Sequence, residues 1–456
     1  MKQITKACLD FAHLLDYSII PIDTRDQMKK YIYDLICCSV AGSYAKEVDS
    51  IRDLYSSNRD EDGIKPFGLH QTISLQDAAL INGASGHVLE IDDSDRTGLS
   101  HPGVMVITPA LITAAVENKS GKDLIAACVA GYEIMLRIGT ALGLDHYSIW
   151  HTTSTTGPLG SVISAGKLLN LTRKELTNAF GNAGTLACGL WEFNKTHAMS
   201  KLLHTGIGGA HGILSARLAK NGFTGAQDIL EGTQGLFAGF PSKDLDLSVF
   251  DDFYKFWRTD GVSFKPYPCC RHTHGGADCG LALHQLIDRQ ELNQISSIII
   301  ETYQAAYQVV GSNKCSTPKQ AKFSLPYLVC TGLLYGYVDN RNFEEIYVNE
   351  STIQSLLQKT EILVATDIQK IHPYHEQCRV TVRFTNGIEK QVFVPDPLGE
   401  PENPMLWEQL ILKGKGLLAP RCDSWKIDSL EQMIQDLENV SIKEVYSLIH
   451  SMTISS

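Results

Sequence analysis

No Cys-x-x-Cys pair occurs among the twelve cysteines of this chain, so neither a zinc knuckle nor a thioredoxin-type motif is expected. Positive charge is not in excess either: Lys+Arg number 40 against Asp+Glu 51, a net charge of −11. A protein that neutralises phosphates needs a basic face, so nucleic acid is not the expected partner. A small anionic substrate stays open, because a local cluster of Lys, Arg and His can oppose the global sign. No uninterrupted apolar run reaches the ~18–20 residues that span a bilayer, so no membrane partner is expected. The stretch Met1-Lys2-Gln3-Ile4-Thr5-Lys6-Ala7-Cys8 has no apolar h-region followed by a small-residue cleavage site. With the cysteines lying mostly in apolar or helical sequence, a cytoplasmic protein with reduced thiols is the expectation. No internal repeat or low-complexity tract is present.

What is present is a long chain of 456 residues, 43% of them hydrophobic, more than one core usually supports. The first 260 or so residues read as successive helices with Gly-rich breaks. Met28–Val40 carries apolar residues at helical spacing and ends at Ala41-Gly42. Gln76–Leu89, Ile107–Val116 and Asp123–Leu142 are similar, and Thr172 with Glu175 resembles a capping box. The texture changes near residue 262. Ile295–Tyr303 and Ile362–Thr366 are β-branched runs of strand length. Arg379–Val394 alternates on both sides of Thr385-Asn386-Gly387, a hairpin signal. Helical sequence returns at Leu406–Lys413, Ser429–Leu437 and Ile442–His450. The expected fold class is therefore mainly α with an α+β second domain: a large helical-bundle domain from residues 1–264 and 395–456, and an inserted α+β domain from 265–394.

Five segments carry candidate chemistry. Ser85–Gly103 holds four carboxylates, two imidazoles and one arginine; it reads equally as a capped helix end turned to water and as the wall of a site that moves protons. In Ile149-Trp150-His151-Thr152-Thr153-Ser154-Thr155-Thr156-Gly157, an imidazole precedes a run of hydroxyls. That run suits an anion, and it also suits an N-cap for a helix starting near Pro158. Lys201 and His204 fall at i and i+3 of a helical stretch. The glycines after them do not complete a dinucleotide fingerprint, because the last position of G-x-G-x-x-G is His211 and no strong strand precedes it. Phe264–His274 marks the change of texture and brings Lys265, Arg271, His272 and His274 together. Cys270, His272 and His274 offer metal ligands, but no second cluster completes a set, so no metal is expected. Lys322-Phe323-Ser324-Leu325-Pro326-Tyr327 reads as a helix start that sets a phenol near a cation.

In order along the chain, these segments resemble the MmgE/PrpD family. His87-Val88-Leu89-Glu90-Ile91-Asp92-Asp93-Ser94 with His101-Pro102 is similar to the family's H-A-L-D-x-D-D-T loop and H-P. His151–Gly157 is similar to H-x-T-x-T-x-G, Lys201–Gly206 to K-x-x-H-x-G, Lys265–Pro268 to K-x-Y-P, and Phe323–Tyr327 to F-S-x-x-Y. Gly399-Glu400-Pro401-Glu402-Asn403-Pro404-Met405 is similar to the stretch that returns to the helical domain.

The resemblance implies a helical domain with a smaller α+β lid, the site between them, and commonly a homodimer. It implies catalysis without metal or organic cofactor. By position it implies His101, His151, Lys201 and Tyr327 as catalytic residues, and Glu90, Ser94, Lys265 and His274 as substrate-binding residues. His101 is the principal acid/base in this reading, tuned by the carboxylates of Glu90 and Asp93. The implied activity is that of a lyase acting on a small di- or tricarboxylate by proton abstraction next to a carboxylate, as in 2-methylcitrate dehydration or cis-aconitate decarboxylation. The alternative is an epimerase of an imino- or amino-dicarboxylate such as iminodisuccinate. Three positions depart from the family pattern: Glu90 replaces an aspartate, Ser94 a threonine, and Cys270 a histidine.

Overall fold

A computed structural model describes residues 3–196 and 198–454. The chain divides into two compact units, Met1–Val262 with Leu406–Ser456, and Ser263–Met405. Among the described residues the protein is mainly α, with one four-stranded mixed sheet.

The first unit is helical. Its long element, Gly121–Tyr147, starts in a capping box in which Ser120 Oγ and Asp123 satisfy each other's backbone N–H groups. By length and composition this helix could cross a membrane, although no single uninterrupted apolar run signalled it in the sequence. It is instead a core helix, with 94% of its apolar window buried. Its two fully buried charges are paired: Arg137 donates to Glu133 one turn earlier at 3.0 Å and also binds Asp252. Burying either charge unpaired would cost several kcal/mol, so the pairing is what admits them to this core.

Beside it lies Thr152–Leu168, which starts six positions earlier than the expected start near Pro158. The threonines taken for a cap are its buried first turns. Thr156 Oγ1 donates to the Thr152 carbonyl at 2.8 Å and Thr155 Oγ1 to the Cys188 carbonyl at 3.2 Å. Internal hydrogen bonding and burial override the weak helix propensity of β-branched residues. Leu75–His87, Pro102–Val116 and Ser200–Lys220 complete the group that carries the site.

In the second unit the sheet order is β2-β1-β3-β4, with β1 Ile295–Thr302, β2 Thr360–Val364, β3 Cys378–Phe384 and β4 Glu389–Val394. β1 runs parallel to β2 and antiparallel to β3. The hairpin β3–β4 turns at Asn386-Gly387, where Gly387 has φ +82°, as the alternating sequence predicts. β1, β3 and the helices His274–Leu286 and Leu325–Tyr335 share one apolar core, including Ile298, Ile300, Val380, Val382, Leu283 and Leu328. Residues 395–405 stay with this unit: Leu398 N–H donates to the Asp278 carboxylate at 2.7 Å, and Phe264 N–H to the Gly399 carbonyl at 2.9 Å.

Candidate active site

The loop between Leu75–His87 and Pro102–Val116 is built around buried polar groups. The chain leaves the first helix through Glu90, held at φ +59°. A non-glycine residue in that region costs about 1–3 kcal/mol and persists where its surroundings over-determine it. Asp92 and Asp93 follow, both buried. The next turn is closed by a bridge between Asp95 and Ser100, and the Asp95 carboxylate accepts from the backbone N–H groups of Thr97 and Gly98. His101 ends the loop at the N-cap, and Pro102 opens the helix.

Asp92 sits between two imidazoles. His87 Nδ1 donates to it, 2.9 Å from each carboxylate oxygen, and His101 Nδ1 lies 3.5 Å from Oδ2. His101 Nδ1–H donates to the Asp93 carbonyl at 2.7 Å. A neutral His101 so bonded carries its lone pair on Nε2, the arrangement of a general base, and its side chain keeps 15% exposure. Among the described residues, His87, Asp92 and His101 are the trio whose ligand atoms lie within 4.8 Å of one another. His87 Nδ1 faces the Asp92 carboxylate at hydrogen-bond length, and His101 Nδ1 faces the Asp93 carbonyl.

The Asp93 carboxyl does not flank His101 as expected from sequence. It is turned away, accepting from Gly103 N–H at 2.9 Å and from Tyr132 O–H at 2.7 Å. It reaches His101 through its carbonyl instead. Burial pushes this carboxyl up to about 8, with Tyr132 and the Gly103 N–H opposing and Asp92 adding to the rise. The folded state therefore holds a proton that the unfolded chain releases near pH 4. The stability this contributes is present below about pH 4 and lost as pH rises through about 8. Asp93→Asn stays neutral throughout, so its melting temperature relative to wild type is expected to climb between pH 5 and 8, by the equivalent of a few kcal/mol. Parallel thermal melts across that range check it, and parallel curves would contradict it. Gly103 is required by the same contact, since a Cβ there would lie 2.7 Å from Asp93 Oδ1. Gly103→Ala is expected to cost about 1–3 kcal/mol in urea unfolding.

His151 and Lys201 complete the cluster. The His151 N–H donates to the Gly189 carbonyl at 2.9 Å, and the ring packs on Trp191 with centroids 4.6 Å apart. Gly189 has φ +109°, and a Cβ there would meet Ser154 Cβ at 2.3 Å, so only glycine fits. Lys201, in the first turn of Ser200–Lys220, donates to the two Glu90 carboxylate oxygens at 2.7 and 2.8 Å. His101 binds the His151 segment by donating its N–H to Thr153 Oγ1 at 3.1 Å, and the two rings lie 6.5 Å apart. Burial, then Lys201 and the neighbouring histidines, hold His151 well below the ordinary histidine range. Glu90, His101, His151 and Lys201 are thus brought together within the first unit. Ser94, half-buried, lies on the same loop.

The remaining three expected site residues belong to the second unit. Lys265 is buried there. His274 is buried with Nδ1 accepting from Arg271 at 2.9 Å, which leaves its proton on Nε2. Tyr327 lies inside the apolar core, its hydroxyl donating to the Asn342 carbonyl, and burial raises the phenol above its ordinary range.

His87, Asp92 and Tyr132 also belong to the cluster and are not among the site residues expected from sequence, whereas His204 stands in the Lys201 segment singled out there. His87 and Asp92 lay in the quoted motif and were within reach. Tyr132 stands in an apolar helix with no local signal.

The cluster joins a base-ready imidazole, an imidazole held neutral and an ammonium, the means to exchange a proton on a carbon beside a bound carboxylate. The MmgE/PrpD N-terminal domain matches residues 7–247 and the MmgE/PrpD C-terminal domain residues 267–439. The chain is 25% identical to the cis-aconitate decarboxylase-like protein oryM of Aspergillus oryzae, over 98% of this chain and 97% of that protein. It is 24% identical to a cis-aconitate decarboxylase of Aspergillus terreus (96% and 94% covered) and 25% identical to that of Homo sapiens (99% and 95%). The chain belongs to the MmgE/PrpD family and is a lyase-type enzyme.

Proposed function

We propose that this enzyme acts on a small di- or tricarboxylate, moving a proton at a carbon next to a carboxylate as it releases water or CO₂. The observation that carries the reading is the first-unit cluster in which His101, with Nδ1 committed to a carbonyl, stands with neutral His151 and the Lys201 ammonium. In a decarboxylation, the C–C electron pair left by departing CO₂ moves into an enolate-like system beside a remaining carboxylate, and protonated His101 returns a proton to carbon. In a dehydration, neutral His101 removes the C–H proton, the C–O bond breaks as the C=C bond forms, and the hydroxyl leaves as water with the proton that His101 has taken. In both, Lys201 holds a substrate carboxylate and spreads the developing charge, and His151 donates a hydrogen bond. Glu90 shares the ammonium and Ser94 lines the loop, so both bear on which carboxylate fits.

Lys265 and His274 enter as substrate-binding residues on the resemblance alone. Tyr327 enters as a catalytic residue on the same ground, with its hydroxyl donating to the Asn342 carbonyl. The same reading takes the reaction to run without metal or organic cofactor, in a cytoplasmic homodimer.

The test is NMR of the purified protein with cis-aconitate, citrate, 2-methylcitrate and iminodisuccinate in separate tubes. Loss of CO₂ or water from one of the first three is the expected result. Exchange of a carbon-bound proton in iminodisuccinate with neither loss would favour the epimerase and overturn the lyase reading.

A further inference from the structure

Two imidazoles in the cluster meet nitrogen to nitrogen. His151 Nδ1 and His204 Nδ1 lie 3.1 Å apart, with ring centroids at 5.3 Å. Such a contact holds one proton, so one ring donates Nδ1–H and the other accepts with its lone pair. The rings cannot easily turn out of it. Trp191 covers His151, and Phe193 packs its edge on His204 at 5.3 Å.

Two arrangements satisfy the contact. If His151 donates, its Nε2 carries a lone pair and the ring is a second base. If His204 donates, His151 carries Nε2–H and is a neutral hydrogen-bond donor. A base must be able to become a cation, and His151 is badly placed for that. It is buried, close to the Lys201 ammonium and to the rings of His101, His204 and His87. His204 is likewise held neutral by burial, with His87 and Lys201 adding to the effect.

We propose that His204 is a positioning residue: its Nδ1–H donates to His151 Nδ1 and confines the His151 proton to Nε2, where it can serve a substrate carboxylate. The role at substrate rests on the lyase reading, whereas the tautomer does not. Division of labour follows from it. His101 exchanges protons, and His151 donates a hydrogen bond without changing charge.

The experiment is a long-range ¹H–¹⁵N correlation spectrum of full-length protein labelled with ¹⁵N-histidine, without substrate, for wild type, His204→Asn and His204→Phe. Asparagine keeps an N–H near the Nδ1 position, and phenylalanine keeps only the ring. The expected wild-type spectrum shows His151 with a protonated Nε2 and an Nδ1 shift typical of an acceptor. His204→Asn should preserve that pattern and His204→Phe should move it. With an active substrate, kcat is expected to fall about tenfold or more in His204→Phe, with partial recovery in His204→Asn. A His151 proton on Nδ1 in wild type, or a pattern unchanged in His204→Phe, would overturn the proposal. The expected tautomer in a protein that turns over no carboxylate would uphold the tautomer and sink the lyase reading instead.

Discussion

Replacing His101 with asparagine is expected to lower turnover by about 10²- to 10⁴-fold, the range one positioned acid–base group supplies, while the helical fold stays intact. The asparagine amide can still donate to the Asp93 carbonyl, as His101 Nδ1 does at 2.7 Å, so the loop keeps its anchor. What disappears is Nε2, the atom assigned the proton transfer. The other groups near the loop cannot take it over. Asp93 is buried and turned to Tyr132 and Gly103; Asp92 is fully buried, with His87 hydrogen-bonded to both of its oxygens; His151 is kept from becoming a cation. Steady-state kinetics with far-ultraviolet circular dichroism checks the result. A folded variant within a few-fold of wild type would remove His101 from the mechanism.

The second large effect is expected at Lys201. Lys201→Met should raise KM and lower kcat together, for a combined loss of about 10²- to 10³-fold in kcat/KM, as expected when a group holding the developing charge is removed. It should also leave Glu90 without its ammonium, in a site where the two side chains keep only 17% and 18% exposure. Part of any stability loss is therefore the uncompensated carboxylate, of order 1 kcal/mol for a pair still partly wetted. Lys201→Met with Glu90→Gln separates the two causes. The double variant is expected to regain the stability and not the activity. Recovery of turnover in the double variant would mean that Lys201 acts only by neutralising Glu90.

The parts of this molecule that were legible in its sequence are those set by neighbours along the chain. The hairpin at Asn386-Gly387 follows from alternation and a turn that needs positive φ. The capping box at Thr172 follows from Glu175 three residues on. The start of Thr152–Leu168 did not follow, because a Ser/Thr run is locally a cap and becomes helix only when tertiary partners bury it. The Lys201–Glu90 pair joins positions 111 residues apart, and only the order of the motifs hinted that they belong together. Asp92 and Asp93 are adjacent and chemically alike, yet one faces two imidazoles and the other a phenol. Local pattern cannot assign those roles, since loop geometry decides which carboxyl turns which way.

The most direct test of the central claim is substrate turnover in D₂O by wild type and His101→Asn, followed by ¹H NMR at the carbon beside the retained carboxylate. One solvent deuteron is expected to exchange or enter there with wild-type turnover, and both exchange and turnover are expected to be lost together in His101→Asn. Undiminished deuterium incorporation by the folded variant would contradict it.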